Sequence, residues 1–193
     1  GVTACRGVRI LRQDPWECLI CFVCSMASNI PRITGNIATL SERFGTAYRR
    51  NGEMHHRLPT PEQLAQASLD ELYGAGVGFR AKYLHAIASQ VADGFSLHEL
   101  SGMSYPDAKN ALTRFHGIGD KVADCILLFS LDHLEAFPTD TWILKQLHRY
   151  YFESSIKSPA KLSALARERF GAYAGYAQQY LFHYARTGFK DES

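Results

Sequence analysis

Lys121 and Asp140, nineteen residues apart, are the two side chains in this sequence whose settings suggest chemistry. Lys121 ends the run Gly117-Ile118-Gly119-Asp120-Lys121, inside a segment from Leu112 to Ile126 that reads as a helix end, a tight turn and a new helix. Two glycines around one isoleucine permit positive φ and close backbone approach. The first N–H groups of the new helix have no acceptor of their own. Together with the helix dipole they form an anion site suited to a DNA phosphate. Val122, Cys125, Ile126 and Phe129 supply the buried stripe at helical spacing. This is the pattern of a helix-hairpin-helix.

A cation at a helix N-terminus opposes the dipole, and Lys121 ahead of Asp124 is the poorer order for an ion pair. The same placement, with partial burial in a cleft, is expected to depress the amine's pKa, and a neutral amine is what a lysine nucleophile needs. The plainer alternative is a solvated lysine paired with Asp124. In Phe137-Pro138-Thr139-Asp140-Thr141-Trp142, proline keeps the chain extended and Asp140 falls at the N-cap of the next helix. Alone it reads as a capping aspartate. Coupled to the glycine-turn lysine, it makes a pair that can be aimed at one sugar, Lys121 as nucleophile and Asp140 stabilising developing positive charge.

The elements that must hold this pair read as helices. Asp14-Pro15 starts one that runs to about residue 28, and Pro31 and Gly45 bound a second. Residues 46–59, with Arg49-Arg50-Asn51-Gly52, read as loop. Thr60-Pro61-Glu62-Gln63 is a capping box. Short helices fit 61–66, 69–74 and 96–101, and longer ones 80–93, 105–114, 120–131, 141–151, 159–170 and 172–186. Residues 6–13 read as a short strand or extended lead-in. The expected fold is all-α, one compact unit of two closely joined lobes.

The 193 residues are 46% hydrophobic and 21% charged, which excludes a disordered chain. A net charge of +2 excludes a strongly cationic tail and leaves room for a local basic groove. Residues 1–60 hold eight basic residues against four acidic ones, a weak pointer to an anionic partner. The apolar run Leu19 to Val23 is far too short to span a bilayer. Cys18, Cys21 and Cys24 have a spacing that holds an iron–sulfur cluster when a fourth cysteine is near, and Cys5 is the nearby candidate. The intervening residues are all apolar, without glycine or proline to bend a loop. A buried helix using cysteine as a small hydrophobe is the better reading, in a reducing compartment.

On Gly117-Ile118-Gly119-Asp120-Lys121 followed by Asp140, the sequence resembles the helix-hairpin-helix DNA glycosylase superfamily, and within it the 8-oxoguanine DNA glycosylase family. The resemblance extends along nearly the whole chain. Gly7 to Leu19 is similar to the segment leading into the family's first helix of the helical domain. Asn29-Ile30-Pro31-Arg32-Ile33-Thr34-Gly35 is similar to its duplex-entering loop and Gly78-Phe79-Arg80-Ala81-Lys82-Tyr83 to its wedge. Gly171 to Phe182 is similar to its C-terminal pocket helix. The resemblance implies that Lys121 attacks C1′ and forms a Schiff base, with Asp140 supporting the transition state. Cys125 and Phe182 would sandwich the flipped base, Phe129 would join the pocket, and Gln178 would bond the base's Watson–Crick edge. Asn29, Arg32 and Arg80 would hold the orphaned cytosine with Phe79 wedged into the stack. Gly117, Gly119 and Val122 would give backbone amides to phosphate.

The sequence departs from the family in having Phe79 where a tyrosine wedge is usual, Trp142 where a histidine often meets phosphate, and Ala27-Ser28 where asparagines are usual. No cysteine follows Cys125, so the four-cysteine cluster loop of some related glycosylases is not expected. The chain starts about where the β-rich N-terminal domain of larger members ends, so residues 1–193 are expected to form the catalytic region without that domain. The expected activity is removal of 8-oxoguanine opposite cytosine in duplex DNA, with associated AP lyase activity. No metal or organic cofactor is implied, and the protein is expected to act as a monomer inside the cell with the genomic DNA. The alternatives are a non-catalytic helix-hairpin-helix DNA-binding module and a glycosylase for a different damaged base. The module needs the glycine turn but neither Lys121 nor Asp140.

Overall fold

A computed structural model of the chain describes residues 6–187. Ten α-helices follow in order: α1 (Pro15–Cys24), α2 (Ile30–Phe44), α3 (Pro61–Gln66), α4 (Leu69–Gly74), α5 (Arg80–Ala92), α6 (Tyr105–Thr113), α7 (Asp120–Ser130), α8 (Thr141–Tyr150), α9 (Pro159–Phe170) and α10 (Ala174–Thr187). Residues 98–102 and 171–173 form single 3-10 turns, where α-helix was expected for 96–101 and from 172 onward. Residues 6–13 form no regular element and are tied to α7 by the Gln13 N–H, which donates to the Phe129 carbonyl at 2.9 Å. Helix α1 stops four residues short of the expected end. Ala27, at φ 45°, takes the left-handed conformation that turns the chain toward α2.

The stretch read as loop holds a β-hairpin instead. Strands β1 (Ala47–Arg50) and β2 (Glu53–His56) pair antiparallel about Asn51-Gly52, both with positive φ. Asn-Gly is the favoured dipeptide for such a turn. The strands were missed because their side chains are largely exposed and carry no alternating apolar pattern.

Side-chain caps start most of the helices. Asp14, Asn29, Ser104, Asp140 and Ser158 each accept a first-turn N–H, and Thr60 and Ser68 form full capping boxes. Among α1 to α9 only α5 and α7 have no side-chain cap, their N-caps being Phe79 and Gly119. These two bare ends are neighbours. Tyr83 of α5 meets His116 edge-on at 5.0 Å and Phe79 at 6.0 Å.

Two apolar cores divide the molecule. The larger joins α1 through α7 around Leu19, Leu84, Ile87, Leu112 and Ile126. The smaller joins α8, α9 and α10 around Phe137, Ile143, Leu147, Leu162 and Ala174. Cys18 and Cys24 are buried on α1 as small hydrophobes and Cys21 is half-buried; Cys5 lies outside the described residues. Burial pushes the Cys18 and Cys24 thiols up to about 12.

Gly175 closes the seam between the cores. Its N–H donates to the Leu134 carbonyl at 2.8 Å. A Cβ there would lie 2.2 Å from Leu128 Cδ1, 2.9 Å from the Leu134 oxygen and 3.0 Å from the Ala136 oxygen. Two of these neighbours are backbone and cannot swing aside. Gly175→Ala is therefore expected to cost about 1–3 kcal/mol, seen as a lower urea midpoint with an unchanged slope.

Candidate active site

The turn between α6 and α7 is set by Gly117 and Gly119. Gly117 has φ +94°, and a Cβ on it would stand 2.6 Å from the Tyr83 ring. Both the backbone conformation and the close approach therefore require glycine. Gly119 is the extended N-cap of α7, and the first intrahelical bond runs from the Ala123 N–H to its carbonyl. The amides of Asp120, Lys121 and Val122 lie ahead of that bond at an end without a side-chain cap.

One turn of α7 sends its side chains in different directions. Val122 and Ala123 are buried in the larger core, and Asp124 is buried toward α6. Its carboxylate accepts from the Tyr105 hydroxyl at 2.6 Å and from Lys109 Nζ at 3.1 Å. The alternative pairing of Lys121 with Asp124 is thus not made. Lys121 instead places Nζ 5.2 Å above the Phe22 ring, where the negative face of the ring attracts a cation.

Lys121 and Asp140 open on one cavity of about 230 Å³, lined also by Phe22, Ile30, Cys125, Phe129, Pro138, Gln178, Phe182 and Arg186. Asp140 reaches it by capping α8, its Oδ1 accepting from the Ile143 N–H at 2.8 Å. The extended chain through Pro138 sets this position, and Gln178 of α10 fastens it by donating Nε2–H to the Pro138 carbonyl at 2.9 Å. Gln178 Oε1 also accepts from Gln179 at 2.6 Å. All four residues expected in the base pocket, Cys125, Phe129, Gln178 and Phe182, line this cavity. Burial pushes the Cys125 thiol up to about 12, so its sulfur is an uncharged packing surface and not a rival nucleophile. Phe129 stacks on Phe22 at 5.7 Å, and Arg186 lies over the Phe182 ring.

The four residues expected at the opposite strand lie outside the cavity. Phe79 is half exposed. Arg32 is exposed on the first turn of α2, whose cap is Asn29, accepting the Arg32 N–H at 3.0 Å. Arg80 is buried. Its guanidinium faces inward, donating to the carbonyls of Met26, Ala27 and Val77. In this arrangement it ties the α1–α2 turn to the start of α5, and it does not present its guanidinium outward.

Sequence reasoning missed Phe22, Ile30, Pro138, Gln179 and Arg186. Arg186 carried a signal, since 178, 182 and 186 share one helical face. Phe22 sits between cysteines read as core, and Ile30 reads as part of the duplex-entering loop and not of the pocket.

Comparison with known proteins agrees with this fold. Residues 20–172 match the family model of the HhH-GPD superfamily of base excision DNA repair proteins. A probable N-glycosylase/DNA lyase of Methanothermobacter thermautotrophicus is 34% identical over 94% of this chain and 64% of its own length. The N-glycosylase/DNA lyase OGG1 of Arabidopsis thaliana is 38% identical over 92% of this chain and 52% of its own. Among solved structures, the Clostridium acetobutylicum 8-oxoguanine glycosylase/lyase in complex with double-stranded DNA containing cytosine opposite 8-oxoguanine superposes with a TM-score of 0.90. It is 37% identical, over 96% of this chain and 64% of that one. The chain thus spans between about half and two thirds of the length of these relatives.

The double position of Asp140, as cap and as cavity wall, can be separated. Asp140→Asn keeps an acceptor for the Ile143 amide and loses only a charge–dipole attraction of about 0.5 kcal/mol. Asp140→Ala loses the cap as well, about 1–2 kcal/mol in total. Urea unfolding of the two variants is expected to rank them in that order.

Proposed function

The chain belongs to the HhH-GPD superfamily of base excision DNA repair proteins, and from that premise we propose that it is a DNA glycosylase with AP lyase activity that removes 8-oxoguanine opposite cytosine. The observation that carries the reading is the convergence of Lys121 and Asp140 on a cavity walled by Phe22, Phe129 and Phe182, one turn from the uncapped start of α7. A module that only binds DNA has use for the amides but not for an amine and a carboxylate facing an aromatic pocket.

The proposed reaction begins with extrusion of the damaged nucleotide, which costs a few kcal/mol. Phe79 takes the vacated place in the stack, and Asn29, Arg32 and Arg80 attend the orphaned cytosine. For Arg80 this role requires its guanidinium to leave the carbonyls of Met26, Ala27 and Val77. Amides at Gly117, Gly119 and Val122 hold a backbone phosphate. The purine enters between Cys125 and Phe182, and Gln178 offers its amide to the Watson–Crick edge.

Lys121 Nζ, as the neutral amine, then attacks C1′. The C1′–N9 bond breaks, and the purine leaves with the electron pair and takes up a proton. Asp140 stabilises the positive charge that develops on the sugar, an oxocarbenium-like species. Loss of the amine proton and opening of the sugar ring give the imine. Abstraction of a C2′ proton then expels the 3′ phosphate, which is the lyase step. The residues supply nucleophile and charge themselves, so the proposed reaction calls for no metal or organic cofactor. The enzyme would act as a monomer wherever the genomic DNA lies, in the cytoplasm and nucleoid or in the nucleus.

Base release from a duplex carrying 8-oxoguanine opposite cytosine tests this reading. The wild-type protein is expected to release the base, Lys121→Gln to fall by at least about 10³-fold, a loss comparable with removal of other covalent nucleophiles, and Asp140→Asn to fall by about 10²-fold or more. Tight duplex binding without release of 8-oxoguanine or any other damaged base would favour the binding module. Release of a different damaged base alone would keep the glycosylase and change its substrate.

A further inference from the structure

Lys121 borders two cavities. Ahead is the aromatic pocket with Asp140. Behind is a second cavity of about 170 Å³, lined by Asp120, Lys121, Asp124, Thr139, Ser158 and Ser163. The rear cavity offers Lys121 two carboxylates on its own helix, at one and three residues' distance. An amine drawn there would be held as an ammonium ion facing away from the sugar.

A second lysine occupies those carboxylates. Lys109 of α6, mostly buried, places Nζ 3.2 Å from Asp120 Oδ1 and 3.1 Å from each oxygen of Asp124. It also reaches the Tyr105 hydroxyl at 3.2 Å, and that hydroxyl donates to Asp124. Burial works against the Lys109 ammonium, but Asp124 and Tyr105 outweigh it and hold its pKa above the usual lysine value. Lys109 is therefore a fixed cation. Burial lifts the Asp124 carboxyl above the ordinary range, and the ammonium and the Tyr105 hydroxyl pull it back. A charged pair buried this way is sensitive to loss of either partner.

We infer that Lys109 is a positioning residue for the nucleophile, engaging Asp120 and Asp124 so that Lys121 faces the forward pocket. The inference deepens the reading of Lys121 as nucleophile and rests on it. The groups facing Lys121 sort by side. Behind it stand Asp120 and Asp124 on α7; Lys109 on α6 bonds both of them, and the guanidinium of Arg167 on α9 stacks at 3.9 Å on the Tyr105 ring beyond them. Ahead stand Asp140 before α8 and Arg186 on α10. Cys125 on α7, and Cys18 on α1 near it, are neutral thiols. Removing Lys109 deletes one positive charge and leaves the exposed Asp120 carboxylate without its partner, and both changes favour the Lys121 ammonium.

The test follows the Lys121 amine by NMR in protein carrying 13C-labelled lysine, its resonance identified by its loss in Lys121→Gln. In Lys109→Met it is expected to titrate about one unit higher than in the wild type, a tenfold change in the amine-to-ammonium ratio. Lys109→Arg, which keeps the cation, is expected to stay close to the wild type. Asp120→Asn added to Lys109→Met is expected to recover part of the shift. The base-release profile should move to higher pH in step, with the rate at high pH retained, whereas a merely structural defect would lower the rate at every pH. If Lys109→Met fails to fold, Lys109→Gln/Asp124→Asn removes both buried charges and leaves Tyr105 an amide acceptor. That variant leaves Asp120 without its partner, so adding Asp120→Asn is expected to lower the Lys121 titration by more there than it does in the wild type, where Lys109 engages Asp120; an equal effect in the two backgrounds overturns the inference. A Lys121 titration that does not respond to Lys109 in the folded variants overturns the inference. Because the readout is the amine itself, a shifted titration in a protein that releases no base would count against the glycosylase and not against the role of Lys109.

Discussion

The seating of the first turn of α7 is the constraint on which the rest of this molecule depends. Gly117 lets the chain lie against the Tyr83 ring, Gly119 begins the helix without a side-chain cap, and Asp124 anchors the turn through Tyr105 and Lys109. With these contacts made, the directions of four groups follow. The amides of residues 120–122 point off the helix end, Asp124 points back to α6, Cys125 faces the pocket, and Lys121 stands at its rim. A rotation of α7 would move all four together, because they share one turn of one rigid element.

The second half of the site is built by a different core. Asp140 depends on the extended chain through Pro138, on its own cap of α8 and on the Gln178 amide that holds the Pro138 carbonyl. Gly175 allows α10 to lie directly on the backbone of residues 134–136. The pocket is thus a seam, with the proposed nucleophile on one lobe and the proposed charge-stabilising carboxylate on the other. Its walls are apolar where a base would stack and polar at few points, as expected of a site that reads a flat ligand.

The sequence makes the helices and their starts legible because the caps are local. Asp14-Pro15, Thr60 with Gln63, and Asp140 each announce a helix within four residues, and the structure has a helix at each. The hairpin at 47–56 was not legible, because exposed strands lack the alternation that burial imposes. Within the site, Lys121 and Asp140 could be named from motif and spacing, whereas Cys125, Gln178 and Phe182 could be named only through the family resemblance. Phe22 could not, since its place in the pocket arises from α1 packing on α7, a contact between distant parts of the chain. Lys109 was hidden for the same reason. Its partners lie 11 and 15 residues away, across the turn, and only the fold brings them together.

Chemical identification of the amine that bonds to the sugar tests the central claim most directly. Reaction on a duplex carrying 8-oxoguanine opposite cytosine in the presence of borohydride, followed by proteolysis and mass spectrometry, reads it in one step. The account predicts a reduced sugar remnant on the peptide containing Lys121. A remnant on another lysine, or release of the base with no reducible adduct, would contradict it.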